Sequence, residues 1–143
     1  MPTVSRTFQV TPPPAAVIDY LKDFSRAEEW DPGTQSCTQN GTGPVGVGTT
    51  WHNVSKIAGV KAELEYELKE LTDDRIVLVG TNKSATSTDT ISVLPHGTGS
   101  EITYRADLEM HGAAALMAPA MKLIFEKLAD DTEKQMTEVL NRH

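Results

Sequence analysis

The chain has 143 residues, a length that fits one domain. Its 13 lysines and arginines stand against 20 aspartates and glutamates, which gives a formal net charge of -7. A nucleic-acid-binding protein presents a basic face, so this balance argues against a nucleic-acid partner, and the same sign argues against adsorption to anionic lipid. A single cysteine, Cys37, excludes an internal disulfide and a cysteine-rich zinc site.

The first ten residues lack the apolar centre of a secretory signal. The longest mostly apolar run without charge, residues 112–121, is far shorter than the roughly 20 residues of a membrane-spanning helix. We therefore expect a cytoplasmic protein with no stable membrane insertion.

The chain begins with a predicted short strand, residues 4–10, followed by two short helices. The core positions of the first helix recur at helical spacing and are Val17, Leu21 and Phe24. The second helix should end near Trp30, because the following Asp31-Pro32-Gly33 disfavours helix and favours a turn.

The middle of the chain predicts antiparallel strands. Residues 62–69 alternate strictly between apolar even positions and charged odd positions, and residues 101–110 alternate in the same way. Such alternation is typical of an antiparallel sheet with one dry face and one wet face. Two further strands are predicted over residues 75–80 and 88–94, with turn-forming sequences between successive strands.

A long helix is predicted from about residue 113 or Pro119 to near the C-terminus, and Pro119 either starts or kinks it. Its predicted apolar stripe consists of Met117, Met121, Ile124, Leu128, Gln135 and Val139. The short N-terminal helices cannot cover a stripe of this length. We therefore expect the stripe to lie on the dry face of the sheet.

Four local motifs accompany this order of elements. They are Val10-x-x-Pro13, Trp30-Asp31-Pro32, Gly46-Val47-Gly48-Thr49-Thr50-Trp51 and Gly99-Ser100-Glu101-Ile102-Thr103-Tyr104. The chain thereby resembles the polyketide cyclase/dehydrase and lipid-transport family of the START-like superfamily over nearly its whole length. The resemblance implies one α+β domain over residues 1–143 with the helix-grip fold, in which a curved antiparallel sheet wraps around one long C-terminal helix and two short helices follow the first strand.

This fold implies a mostly apolar cavity between the sheet and the C-terminal helix, which is the usual character of a small-molecule site. The expected partner is a small hydrophobic molecule such as a lipid, an isoprenoid or a polyketide-like compound, and the alternative is a filled core. The candidate ligand-binding residues are Trp51, Leu64, Tyr66, Ile91, Tyr104, Ala106, His111, Met117, Met121 and Ile124.

Catalysis of the cyclase, aromatase or dehydratase kind would need a general acid or base inside that cavity. Asp89 shares strand parity with the apolar Ile91, so it is the carboxylate that could point inward, next to the hydroxyl groups of Tyr66 and Tyr104. The alternative for Asp89 is a position in a turn at the end of a strand.

Three functions stay open, and carriage of a hydrophobic ligand without catalysis is the leading one. The second is a cyclase-type enzyme that uses Asp89 with Tyr66 or Tyr104, and the third is a co-chaperone-like or regulatory interaction module. An inward Asp89 bonded to a tyrosine would favour the enzyme. An interior filled by side chains would favour the interaction module. An open cavity without a perturbed carboxylate would favour the carrier.

No metal or cofactor is expected. The four histidines do not pair at ligand spacing, and His111 suits a surface or capping role or the mouth of the cavity. Residues 41–46 match G-x-G-x-x-G, but Pro44 interrupts the run and no crossover helix follows, so a dinucleotide site is not indicated. The sequence does not indicate an oligomeric state.

Overall fold

The protein is a single curved sheet with one long helix across its inner face. A computed structural model describes residues 3–57 and 59–143, and the side chains of residues 117 and 118 lie outside the described part. The elements in chain order are β1 (Thr3–Val10), α1 (Pro14–Leu21), a 3₁₀ turn (Phe24–Arg26), α2 (Ala27–Trp30), β2 (Thr34–Gln39), β3 (Thr50–Ile57), β4 (Val60–Leu71), β5 (Arg75–Thr81), β6 (Ala85–His96), β7 (Gly99–Met110), a 3₁₀ segment (Gly112–Met117) and α3 (Ala118–Leu140).

The seven strands form one sheet in the order β1-β7-β6-β5-β4-β3-β2, and all neighbours are antiparallel. The sheet does not close, so β1 and β2 are its two edges. This arrangement confirms the predicted helix-grip fold. The strand β2 was not among the predicted strands because Thr34–Gln39 contains one apolar residue, Cys37, and only that residue is buried.

The N-terminal helices close one end of the sheet. Helix α1 packs against β5, β6 and β7 and buries Val17 and Leu21 completely. The 3₁₀ turn that follows is capped by Asp23, whose carboxylate accepts a hydrogen bond from the Ser25 backbone N–H at 3.1 Å. This cap directs the chain into α2 and places the buried Trp30 over the inner face.

Pro119 is the second residue of α3 and therefore starts the helix without kinking it. The helix packs mainly against β1 and α2. The buried side chains of the helix are Phe125, Ala129, Thr132, Met136, Val139 and Leu140. The predicted stripe was correct at Val139 and wrong by part of a turn at Met121, Ile124, Leu128 and Gln135, which are only half-buried.

Polar contacts explain this rotation of α3. Arg6 on β1 donates to Asp130 at 2.9 Å and lies 3.6 Å from the Glu126 carboxylate. On the other side, Gln135 donates to the backbone carbonyl of Glu29 at 2.8 Å. These contacts hold Gln135 toward α2 and place Glu126 and Asp130 beside β1. No helix among the described residues has the length and apolar character required to cross a bilayer.

Candidate functional site

Asp89 lies on the inner face of the sheet, in the middle of β6. It pairs with Leu78 on β5 and with Ala106 on β7, and only 5% of its surface is exposed. The alternative of a strand-end turn is therefore wrong. Alternation along β6 places Ser87, Asp89, Ile91 and Val93 on the same buried face.

Burial raises the pKa of Asp89 to about 7, and the negative charge of Asp31 contributes to the rise. The Ser87 hydroxyl, which donates to Asp89 Oδ1 at 3.4 Å, and the Tyr104 hydroxyl partly offset it. A carboxyl group with this pKa is present in both protonation states near neutral pH. It can therefore donate or accept a proton, as a general acid or base must.

The Tyr66 ring extends across β5 toward Ser87 because a glycine lies beside it in the sheet. Tyr66 pairs with Gly80 on β5, and Gly80 pairs with Ser87 on β6. A Cβ atom built on Gly80 would lie 2.5 Å from Cζ of the Tyr66 ring. The ring thus occupies the space that any other residue at position 80 would fill.

Both tyrosines keep their protons. Burial raises the pKa of Tyr66 and of Tyr104 well above the ordinary value of 10.0, and the charge of Asp89 raises both further. Each side chain is 8% exposed. They therefore present neutral hydroxyl groups beside Asp89, and such groups can bind an oxygen atom of a ligand.

An aromatic cluster packs against these residues. The Phe24 ring centroid lies 4.6 Å from that of Tyr66 and 6.0 Å from those of Trp30 and Trp51, and Trp30 lies edge-on to Tyr104 at 6.0 Å. Both indole rings are fully buried, and their Nε1 atoms have no hydrogen-bond partner among the described residues. Buried donors of this kind are uncommon in folded proteins.

Exposure on the inner face is uneven. Leu78, Ile91 and Ile102 are completely buried. Six neighbouring inner-face residues keep 5–9% of their surface exposed, namely Tyr66, Ser87, Asp89, Tyr104, Ala106 and Leu108. Along β6, Val93 near α1 is completely buried and Ser87 is 9% exposed, so the small remaining exposure lies toward the start of this strand.

The structure places the predicted ligand-binding residues other than His111 in three groups. Five of them lie buried on the inner face: Trp51, Tyr66, Ile91, Tyr104 and Ala106. Three are half-buried, namely Leu64, Met121 and Ile124. The side chain of Met117 lies outside the described part of the structure.

His111 ties two strands together. Its Nε2 atom lies 3.0 Å from Thr86 Oγ1, and its backbone N–H donates to the Ser84 carbonyl at 2.8 Å. The side chain is partly exposed and lies 3.8 Å from the Glu109 carboxylate. These contacts agree with a capping role where β7 ends.

The prediction of a cavity under α3 stays a prediction. One described concavity, of about 620 Å³, lies at the opposite end, between α1 and the β4–β5 turn, and its lining includes Ile18, Leu71 and Val93. A second, of about 280 Å³, lies beside the turn between β6 and β7. No cluster of potential metal ligands occurs within residues 3–57 and 59–143.

The sequence-based prediction did not include four residues of this region: Phe24 and Asp31 beside the site, and Gly80 and Ser87 within it. Two of them carry a signal in the sequence. Ser87 has the same strand parity as Asp89, and a glycine inside a strand often marks close approach of another group. The helical spacing predicted Phe24 as a core position but not as a neighbour of the site, and Asp31 carries no such signal, because its position depends on its contact with β2.

Comparison with solved structures shows the fold. A START superfamily protein from Mycobacterium smegmatis has a TM-score of 0.81 at 14% identity, covering 98% of this chain and 97% of that one. The protein TTHA0849 from Thermus thermophilus has a TM-score of 0.79 at 18% identity, covering 96% and 95%. The Zhui aromatase/cyclase from Streptomyces sp. R1128 has a TM-score of 0.74 at 14% identity, covering 98% and 93%.

No curated protein matches the sequence. The family described as polyketide cyclase / dehydrase and lipid transport matches residues 1–137, almost the whole chain. The match covers all seven strands, the inward carboxyl group of Asp89 and most of the long C-terminal helix. The chain belongs to the polyketide cyclase / dehydrase and lipid transport family.

Proposed function

We propose that this protein binds a small, largely apolar molecule that carries oxygen substituents, in the interior between the inner face of the sheet and α3, and that Asp89 transfers a proton to or from it. The reaction would be of the cyclase or dehydratase kind, in which a proton leaves a carbon next to a carbonyl group or is added to a departing hydroxyl. The observation that carries this proposal is the buried Asp89 carboxyl, with its pKa of about 7, beside two neutral tyrosine hydroxyls.

The polar groups of the interior support an oxygenated ligand over a plain hydrocarbon. Tyr66 and Tyr104 supply hydroxyl donors, and Trp30 and Trp51 supply buried N–H donors that have no acceptor among the described residues. Burying unpaired donors costs free energy that a ligand oxygen would recover in part. A hydrocarbon would leave the two indole N–H groups unpaired.

Two family relationships also support the proposal. The family name includes cyclases and dehydrases, and the Zhui structure is described as an aromatase/cyclase. That neighbour is only 14% identical, so its activity serves here as a guide to the reaction class.

The test uses a simple aryl ketone, 2-acetylnaphthalene, whose methyl protons exchange slowly in neutral D₂O. The exchange is followed by loss of the methyl signal in the proton NMR spectrum, and binding by quenching of the fluorescence of the two tryptophans. We expect the protein to accelerate exchange and Asp89→Asn to lower that acceleration by at least about 100-fold, the smaller end of what general-base catalysis contributes. The rate should rise with pH through about 7, because the base is the ionised form of Asp89.

The matched control is Asp107→Asn on the neighbouring strand β7, where Asp107 accepts from Arg105 at 3.0 Å and from Thr3 at 2.6 Å. This variant should retain the exchange activity. If the protein binds the ketone yet exchanges its protons no faster than buffer does, Asp89 is not a catalytic base for ketones.

The second candidate is a carrier that binds the same class of molecule without changing it. The half-buried apolar residues near the start of α3, Met121 and Ile124, favour this candidate because they offer an adaptable apolar contact. Native mass spectrometry of the purified protein distinguishes the two. A carrier should retain an unaltered small molecule in wild type and in Asp89→Asn alike, whereas an enzyme should retain substrate only in the variant.

A further inference from the structure

Ser87 lies between Tyr66 and Asp89 on the inner face of the sheet. The strand register places Tyr66, Gly80 and Ser87 side by side in one row across β4, β5 and β6. Asp89 is two residues further along β6, so it lies on the same face, one row away. Ser87 is 9% exposed and Asp89 is 5% exposed, so little solvent reaches the space between them.

The hydroxyl group of Ser87 faces both of these side chains. Its Oγ atom donates to Asp89 Oδ1 at 3.4 Å. The Tyr66 ring extends over Gly80, with Cζ 2.5 Å from the place of a Cβ atom, so the phenol oxygen beyond Cζ points toward the next strand at Ser87. Burial raises the pKa of Tyr66, and hydrogen bonding with Ser87 acts in the opposite direction.

A serine hydroxyl has one proton to donate and lone pairs with which to accept. When the Asp89 carboxylate is ionised, it accepts the Ser87 hydrogen bond, and the Ser87 oxygen is then an acceptor for the Tyr66 hydroxyl. When the carboxyl oxygen facing Ser87 carries a proton, all these hydrogen bonds can reverse. Asp89 then donates to Ser87, Ser87 donates to the Tyr66 oxygen, and the Tyr66 proton becomes available to another acceptor.

We propose that Ser87 is a positioning residue that links the proton on Asp89 to the hydrogen bond that Tyr66 offers to the ligand. The proposal rests on the function proposed above, because it concerns the same reaction. Ser87 does not need to touch the ligand. It acts through Asp89 on one side and Tyr66 on the other.

The exchange of a ketone shows what this link would do. The C–H bond next to the carbonyl group breaks, its proton goes to the Asp89 carboxylate, and its electron pair moves to the carbonyl oxygen. Ser87 and Tyr66 keep their own protons and rotate, so the Tyr66 hydroxyl turns toward the newly negative oxygen. Exchange is complete when Asp89 trades its proton for a solvent deuteron and returns that deuteron to the carbon.

Three other titratable side chains act on Asp89, and none of them is hydrogen-bonded to Tyr66 within the described part of the chain. Tyr104 pairs with position 91, so it lies in the row on the far side of Asp89. Asp31, which follows α2, and Asp107 on β7 act on Asp89 through their negative charge. A change at position 87 therefore breaks the link and leaves these groups in place.

The experiment compares Ser87→Ala, which removes the hydroxyl, with Ser87→Thr, which keeps one and suits a strand. Methyl exchange of 2-acetylnaphthalene is measured at saturating ketone and pH 9, where Asp89 is ionised, and binding is measured by tryptophan quenching. We expect Ser87→Ala to lower the saturated rate about tenfold, the rate equivalent of one hydrogen bond, with Kd unchanged. The reason is that the lost bond would form only as the negative oxygen develops. Ser87→Thr should exchange at close to the wild-type rate.

A double-variant comparison tests whether Ser87 acts through Tyr66. Tyr66→Phe should lower the saturated rate by a similar factor, and adding Ser87→Ala to it should lower the rate no further. Multiplying losses in the double variant would overturn the link. A folded Ser87→Ala protein with the wild-type rate, or a folded Ser87→Thr protein as slow as the alanine variant, would overturn it as well.

The pH dependence separates this role from a purely structural one. Because the Ser87 hydrogen bond favours the ionised carboxylate, Ser87→Ala should move the midpoint of Asp89 to higher pH, followed by NMR of ¹³C-labelled aspartate without ligand. Ser87→Thr should leave it in place. An unchanged midpoint in Ser87→Ala would contradict the contact on which the proposal stands.

Failure of this proposal and failure of the proposed function give different results. If Asp89→Asn loses exchange while Ser87→Ala keeps the wild-type rate and midpoint, catalysis by Asp89 stands and the role of Ser87 falls. If Asp89→Asn exchanges like wild type, the proposed function falls. The link to the ligand then falls with it, even where the midpoint shift shows that Ser87 and Asp89 are coupled.

Discussion

Replacement of Asp89 by asparagine should stabilise the protein at alkaline pH. Below about pH 4 the residue is protonated in both the folded and the unfolded chain, since its ordinary pKa is 3.8. Between that pH and about 7 the unfolded chain has released the proton that the folded protein still holds, so the free energy of unfolding falls as pH rises. Above about pH 7 the folded protein carries the buried charge of Asp89, and the decrease in the free energy of unfolding is complete.

The rise of the pKa from 3.8 to about 7 corresponds to about 4 kcal/mol, because each pH unit of pKa difference is worth about 1.4 kcal/mol. Asparagine has a similar shape and no charge. We therefore expect Asp89→Asn to raise the free energy of unfolding by up to about 4 kcal/mol at pH 8.5 and to change it little at pH 4. For a chain of this size that gain corresponds to roughly 8–16 °C in melting temperature.

The assay is urea unfolding of wild type and variant across this pH range, followed by circular dichroism. Asp107→Asn is the control, and it should change the free energy of unfolding in the opposite direction. Although partial burial raises the pKa of Asp107, its bonds to Arg105 and Thr3 give a net lowering, so this carboxylate stabilises the fold above its ordinary pKa. Its loss should cost about 1 kcal/mol or less at pH 8.5. A pH-independent difference between wild type and Asp89→Asn would refute the reasoning.

Three further predictions concern the surroundings of the site. Gly80→Ala should cost about 1–3 kcal/mol in urea unfolding, because its Cβ would meet the Tyr66 ring, whereas Gly46→Ala, with nothing within 4 Å, should be neutral; equal effects would contradict the packing. Met121→Trp should abolish binding of 2-acetylnaphthalene in equilibrium dialysis and Leu123→Trp, at a position 77% exposed, should not; unchanged binding in both would place the ligand elsewhere. Cys37, with its pKa raised by burial to about 12, should resist thiol reagents at pH 8 until urea is added; rapid labelling of the native protein would show that it is accessible.

Most of the fold could be predicted from the sequence because alternation in strands is a local pattern. The alternation over residues 101–110 has its counterpart in β7, where Ile102 and Tyr104 face inward. The parity of Asp89 with Ile91 correctly places Asp89 on the inner face. Asp89 had two interpretations, an inward side chain and a turn at the end of a strand. Only the inward side chain fits its position in the middle of β6.

What the sequence could not predict depends on contacts between distant segments. The position of Tyr66 over Gly80 follows from the register between β4 and β5, which no local pattern specifies. The half-buried position of Asp31 depends on β2, because Thr34 Oγ1 donates to its carboxylate at 2.9 Å. The buried face of α3 is rotated from the predicted one because Arg6 and Gln135 make polar contacts that hydrophobic spacing does not anticipate.

Intermolecular nuclear Overhauser effects between 2-acetylnaphthalene and the ¹³C-labelled protein locate the ligand most directly. The naphthalene protons should show contacts to the Met121 methyl group and to the rings of Tyr66 and Tyr104. Contacts confined to Ile18 and Leu94, in the concavity beside α1, would contradict a ligand beneath α3.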